Sequence, residues 1–162
     1  MAYKRRKGKN IVTRGKKKDF SFKGIAYKSG LEKNMAMLLD AAGIPFEYES
    51  KTFEVLEGFK FDFDCYERQS NGKGDMINRG RKKVQPIKYT PDFIGEGFII
   101  ETKGYANETF PLRWKMFKKM LTDKIGNRNH SPLVIYKPQK ISECEEVVKL
   151  ILKQNEQKES GK

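Results

Sequence analysis

Tyr89-Thr90-Pro91-Asp92-Phe93-Ile94-Gly95-Glu96-Gly97-Phe98-Ile99-Ile100-Glu101-Thr102-Lys103-Gly104 is the stretch from which the rest of the chain is read. Two apolar runs flank Gly95-Glu96-Gly97, the pattern of a strand, a tight turn and a second strand. Asp92, Glu101 and Lys103 interrupt the apolar runs. Side chains alternate along a strand, so Glu101 and Lys103 point the same way. A hairpin turning at Gly95–Gly97 returns Asp92 to the side of Glu101, so two carboxylates and an amine share a small volume. Buried carboxylates raise each other's pKa unless a cation sits between them. A set of oxygen ligands suits one or two Mg²⁺ or Mn²⁺ ions. The bland alternative is a salt bridge on the face of a half-buried strand.

The length of 162 residues fits one domain with tails, and 37% hydrophobic residues, including 11 Phe, allow a modest core. No apolar run approaches the roughly 18 residues of a membrane span. The basic N-terminus is followed by no apolar h-region, so neither a membrane protein nor a secreted one is expected, and the reading is cytoplasmic. Cys65 and Cys144 form no disulfide framework, and Cys65 reads as a core residue. A lone His130 and the absence of CxxC argue against zinc. Of 34 Lys/Arg and 21 Asp/Glu, residues 1–28 hold eleven basic and one acidic, leaving 23 and 20 for the rest. The excess is a basic arm on a nearly balanced domain, which points to a polyanion; a solubilising tail is the alternative.

Residues 1–19 lack apolar periodicity and are expected to be a disordered basic arm. The domain is expected to span 20–155, with 156–162 a flexible tail. Ser29 fits a helix N-cap with Glu32 as its box partner, and Gly43 fits the C-terminal stop. A strand is expected from Phe46 to about Val55. Phe59, Phe61, Phe63 and Cys65 alternate with polar residues, which predicts a half-buried strand reaching Tyr66. Residues 67–83 are polar, Gly-rich and basic, and read as a long surface loop. Val84–Ile94 is a further strand, limited by Pro86 and Pro91. A helix from Thr109 or Phe110 to Asp123 presents Trp114, Phe117 and Leu121. Leu133–Tyr136 is a short strand, and a last helix is capped by Ser142 with Glu145 as box residue. The predicted fold is therefore α/β (α+β), a mixed sheet flanked by helices in the order α-β-β-β(β)-α-β-α.

Pro91-Asp92, eight intervening residues and Glu101-Thr102-Lys103 resemble the signature of the PD-(D/E)XK nuclease superfamily, whose restriction-endonuclease-like core runs helix–strand–strand–strand–helix–strand. More narrowly, Ser29-Gly30-Leu31-Glu32, Gly43–Glu49, Tyr89–Phe93 and Glu101–Gly104 are similar to blocks of phage endonuclease I-type Holliday junction resolvases and related small phage nucleases. Arg113–Phe117 resembles the helix that follows the motif. The likeness covers about Tyr27 to Tyr136. The segment Glu57–Lys88 departs from it and looks like an insertion.

The resemblance implies a divalent-metal-dependent endonuclease, dimeric and acting on DNA, branched DNA above all. It assigns Asp92, Glu101 and the Thr102 carbonyl to the metal, Lys103 to the attacking water, and Glu32 to a metal-bound water or second ion. A capping role alone would also explain Glu32. Lys4, Arg5, Arg6, Lys7, Arg14, Lys16, Lys17 and Lys18 of the arm, Arg79, Arg81, Lys82 and Lys83 of the loop, and Arg113 and Lys115 of the helix are the expected DNA contacts. Such contacts give affinity and salt sensitivity rather than sequence reading. Two rival readings are a general phage nuclease with little structure preference and a non-catalytic nucleic-acid-binding accessory.

Overall fold

A computed structural model describes residues 19–104, 109–125 and 133–160. The expected arm contacts Lys4, Arg5, Arg6, Lys7, Arg14, Lys16, Lys17 and Lys18, and also His130, lie outside the described residues. The described chain opens with β1 (Ser21–Phe22) and β2 (Ile25–Ala26), joined through Lys23 and Gly24, both at positive φ. Then come α1 (Gly30–Ala41), β3 (Glu47–Tyr48), β4 (Phe53–Leu56), β5 (Phe59–Lys60), β6 (Tyr66–Glu67), β7 (Ile77–Asn78) and β8 (Lys83–Val84). β9 (Ile87–Tyr89), β10 (Phe93–Gly95), β11 (Phe98–Ile100), α2 (Phe110–Ile125), β12 (Val134–Tyr136) and α3 (Ile141–Ser160) complete the order. The fold is mixed α+β, with three helices and several small sheets.

The start and stop of α1 follow its sequence signals. Ser29 Oγ accepts the Glu32 amide at 3.2 Å. At the other end Gly43 takes φ +65, its amide donates to the Asp40 carbonyl, and the Ile44 amide reaches back to Leu39. That pair of bonds is a Schellman stop, and buried Ile44 supplies the usual apolar contact.

The central sheet has the order β12-β11-β10-β3. β11 runs parallel to β12, and β10 is antiparallel to both β11 and β3. Successive residues of β11 serve opposite layers. Phe98 and Ile100 join Phe93, Met35 and Leu39 of α1, and Val147 and Ile151 of α3, in one core. Ile99 joins Tyr89 and Phe110, Phe117, Met120 and Leu121 of α2 in a second. Helices therefore cover both faces of this sheet, and Phe98-Ile99-Ile100 is buried throughout, as expected of a strand packed on both sides.

Several expectations are corrected. The single strand from Phe46 to Val55 is two strands in different sheets, because Glu49 turns to φ +46 and gives its amide to the Asp92 carbonyl. The strand Phe59–Tyr66 and the loop 67–83 are together one antiparallel ribbon: β5 pairs with β8 and β6 with β7. Bonds from Phe61 N to Lys82 O, Arg81 N to Phe63 O and Arg79 N to Cys65 O continue the ladder between them. The ribbon extends the β4–β9 pair. Of its aromatic residues, Phe59, Phe63 and Tyr66 are exposed rather than half-buried. Cys65 is accordingly a partly exposed ribbon residue, whereas Cys144 is the cysteine in the core. Finally, α3 begins at Ile141, not after a Ser142 cap, with Glu143 rather than Glu145 accepting an upstream amide, that of Gln139 at 2.7 Å. It stays helical to Ser160, where a flexible tail was expected from 156. Among the described residues, no helix is long and apolar enough to cross a membrane.

Candidate functional site

Pairing of Phe93 with Ile100 and of Gly95 with Phe98 leaves Glu96-Gly97 as the turn, with Gly97 at φ +78. This register puts Asp92 and Glu101 one step beyond the last pair, at the open end of the hairpin. The chain past β11 stays anchored, since Glu101 N bonds Tyr136 O at 3.0 Å and Lys103 N bonds Pro138 O at 2.9 Å. Asp92, Glu101 and Thr102 are all buried, at 8%, 5% and 6% exposure. Rigid strands on two sides therefore hold both carboxylates out of water.

Their surroundings differ. Asp92 Oδ2 accepts the Thr102 amide and the Thr102 hydroxyl, each at 2.7 Å. Those donors hold the Asp92 carboxyl down in part, but burial outweighs them and pushes it up to about 6, helped by the charges of Glu32 and Glu49. Glu101 is pushed up to about 7, first by burial and then by the charge of Asp92, against the opposing pull of Tyr89 and Lys103. Glu101 Oε2 and the Tyr89 hydroxyl are buried with no hydrogen-bond partner among the described residues. Tyr89 is near enough to act on Glu101 but outside hydrogen-bond geometry. A buried carboxylate oxygen with no donor stands out, because such atoms are nearly always paired in native proteins.

The remaining expected residues are placed unequally. Lys103 is near enough for its charge to act on Glu101, and its ammonium rests 4.6 Å from the centre of the Phe110 ring. Glu32 is buried and its charge reaches both Asp92 and Glu101. Its carboxylate, however, accepts the Lys28 amide at 2.9 Å and the Tyr48 hydroxyl at 2.5 Å. This is one residue further back than a capping box reaches. Lys28 in turn pairs with Glu49. Among the described residues no three His, Cys, Asp or Glu side chains converge as a metal cage. Arg113 and Lys115 are exposed on α2. On the ribbon Arg81 is engaged by Asp64 at 2.7 Å, while Arg79, Lys82 and Lys83 make no ion pair with described residues.

Sequence reading passed over Tyr48, Tyr89 and Glu49. Tyr89 carried a signal, standing three residues before Asp92 in the run already singled out. Tyr48 alternates with Phe46 on the inward side. Glu49 gave none, since a non-glycine left-handed residue is set by tertiary contacts.

Whether the group fits an oxygen-loving divalent cation turns on these donors. Two buried carboxylates with raised pKa values, one of whose oxygens is orphaned, form a hard, anionic pair that such a cation would neutralise. The pair fits; Glu32, turned toward Tyr48 and Lys28, is not part of it as placed. No protein-family model, curated protein or solved structure matches the chain.

Proposed function

We propose that the chain is a Mg²⁺- or Mn²⁺-dependent DNA endonuclease of the PD-(D/E)XK type, acting on branched or otherwise structured DNA. The observation that carries this is the buried Asp92–Glu101 pair, with a Glu101 oxygen that has no hydrogen-bond partner among the described residues and Lys103 near enough for its charge to act on Glu101. With β4 to β9 taken as an insertion, the remaining order α1, β3, β10, β11, α2, β12 supports it, because it matches the helix–strand–strand–strand–helix–strand core expected of that superfamily. Asp92 and Glu101, with the Thr102 carbonyl, would hold the cation. Thr102 fixes the Asp92 rotamer through its amide and hydroxyl. The cation would supply acidity to water and counter-charge to the phosphate. Lys103, leaving Phe110, would orient the attacking water by its ammonium. The water oxygen would bond to phosphorus and give its proton to solvent, while the bond to the leaving sugar oxygen breaks and that oxygen takes up a proton from solvent.

The test is a Mg²⁺ and Mn²⁺ titration on a four-way junction and a linear duplex at equal salt. Cutting should require the ion. Asp92→Asn and Lys103→Ala should each lower it by at least roughly a hundredfold while DNA binding persists. Cleavage that survives both substitutions would sink the nuclease reading. A junction preference under about threefold, well below 1 kcal/mol, would leave a nuclease without structure selection.

A second reading, a non-catalytic nucleic-acid-binding module, is favoured by one observation: Glu32 is tied to Tyr48 and Lys28 rather than to the pair. Calorimetry decides between them, since heat of Mn²⁺ binding that vanishes in Asp92→Asn is expected only of the nuclease.

A further inference from the structure

The ribbon formed by β5 to β8 holds its charges in two unlike ways. Some are satisfied within the ribbon: Asp64 accepts from Asn78 Nδ2 at 2.9 Å and from Arg81 Nε at 2.7 Å, and Lys60 lies 3.3 Å from Asp62. Others line a hollow formed by Phe61, Cys65, Val84, Arg79, Lys82, Lys83 and one carboxylate, Glu67. Directly paired residues of an antiparallel ribbon share a face, and Phe59 pairs with Val84. Phe63 meets Phe61 edge-on at 5.7 Å and is 72% exposed. The result is a row of rings, Phe59 and Phe63 exposed and Phe61 half-buried, beside three cations that pair with no described acid.

We infer that this strip is a contact surface for nucleic acid with unpaired or splayed bases, with Arg79, Lys82 and Lys83 on the phosphates and Phe63 stacking on a base. Charge selects the class of partner. A second copy of the ribbon would bring these cations against their own kind, whereas a polyanion complements them. The rings select the form. A two-stranded ribbon fits the major groove of a duplex, but the base faces there are already stacked. An unpaired base offers a free π-face, and stacking on an aromatic side chain is tolerant of sequence. Gly80 keeps the two strands close enough for the strip to be continuous: a Cβ there would lie 2.0 Å from Phe63 O. The inference rests on the nuclease reading for its biological setting and deepens it by naming the DNA feature selected.

The experiment measures binding alone, in full-length Asp92→Asn protein, by fluorescence anisotropy. One probe is a continuous duplex and the other a duplex of equal length carrying an unpaired-base bulge. Phe63→Ala should weaken binding of the bulged probe roughly tenfold and leave the duplex unchanged, and Phe63→Trp should restore it. Arg79→Gln with Lys82→Gln should weaken both probes alike and flatten the slope of log affinity against log salt by about 2. An unchanged bulge-to-duplex ratio in Phe63→Ala would overturn the inference. So would a dimer, seen by sedimentation, that Phe63→Ala disrupts while the ratio stands, and so would polyaspartate binding as tightly as the DNA. If wild-type protein cuts nothing yet the Phe63 result holds, the nuclease reading fails and the strip stands. If it cuts and the ratio is insensitive to Phe63, the reverse is true.

Discussion

Two antiparallel ribbons leave the same neighbourhood of this chain, and they meet opposite fates. The β10–β11 hairpin lies between helices, with α1 and α3 on one side and α2 on the other, and Phe98, Ile99 and Ile100 are all buried. The ribbon of β5 to β8 pairs its backbone as fully where it is regular, yet Phe59, Phe63, Tyr66 and Ile77 stay exposed. Backbone pairing is thus common to both, and what separates them is cover. The covered ribbon can hold carboxylates away from water and shift their titration. The bare one can only offer side chains to something outside the described chain.

Replacement of matched aromatics is the strongest way to break this contrast. Phe93, fully buried and touching Tyr27, Phe46 and Tyr48, loses both transfer energy and packing when truncated. Phe93→Ala should therefore lower the stability to urea by about 3–5 kcal/mol. Phe63→Ala should change it by less than about 0.5 kcal/mol. Equal losses at the two positions would mean that the ribbon is covered in solution, and the distinction would fail.

The same contrast explains what could be read from the sequence. The hairpin was legible because its signals are local: two apolar runs, a glycine turn and charges at fixed steps. The order α1, β11, α2, β12 and α3 followed from periodicity and, for α1, its cap; the strand read as Val84–Ile94 is instead β8, β9 and the start of β10, in three different sheets. The ribbon was misread for a physical reason. Alternation of Phe59, Phe61, Phe63 and Cys65 reports a pleated strand, but not whether another element will lie on it. Its partner strand, hidden in the polar run 67–83, has only Ile77 and Val84 as apolar residues in its paired segments, too few to mark it. At the site, Asp92, Glu101 and Lys103 were placed by register alone. The partners of Glu32 were not legible, because Tyr48 reaches it only through the fold, across sixteen residues.

Glycines give a sharper version at smaller energy. A Cβ on Gly95 would lie 2.1 Å from the Phe98 ring, which is 2% exposed and cannot retreat. One on Gly80 would meet backbone atoms of Phe63 and Cys65, at 2.0 and 2.6 Å. Both substitutions force a shift. Gly95→Ala should cost about 1–3 kcal/mol of global stability, as overpacking does. Gly80→Ala should open the ribbon locally, seen as faster amide exchange at Phe61, Arg79 and Arg81, with the urea midpoint unmoved. A global loss from Gly80→Ala would show that ribbon and core unfold as one unit.

A last effect expected is one of pH, and its sign differs between the ribbons. With a chelator present, Asp92 at about 6 and Glu101 at about 7 lie above their unfolded values of 3.8 and 4.5. A raised carboxyl contributes stability fully below its unfolded value and loses it as pH climbs through the folded one. The core should therefore weaken between about pH 4 and 7, by on the order of a few kcal/mol for the coupled pair. Asp92→Asn or Glu101→Gln should flatten that slope, and urea midpoints at pH 5 and pH 8 measure it. On the bare ribbon the Arg81 guanidinium and the Asn78 amide hold Asp64 below its usual value. Its contribution is present above about 4 and fades as pH falls, so acid loosens the ribbon while it steadies the core. Mg²⁺ or Mn²⁺ adds a discriminating step. A cation seated between Asp92 and Glu101 replaces the protons they lose, so it should restore stability at pH 8 and add little at pH 5, where protons already neutralise the pair. Equal stabilisation at both values would place the ion elsewhere on the chain.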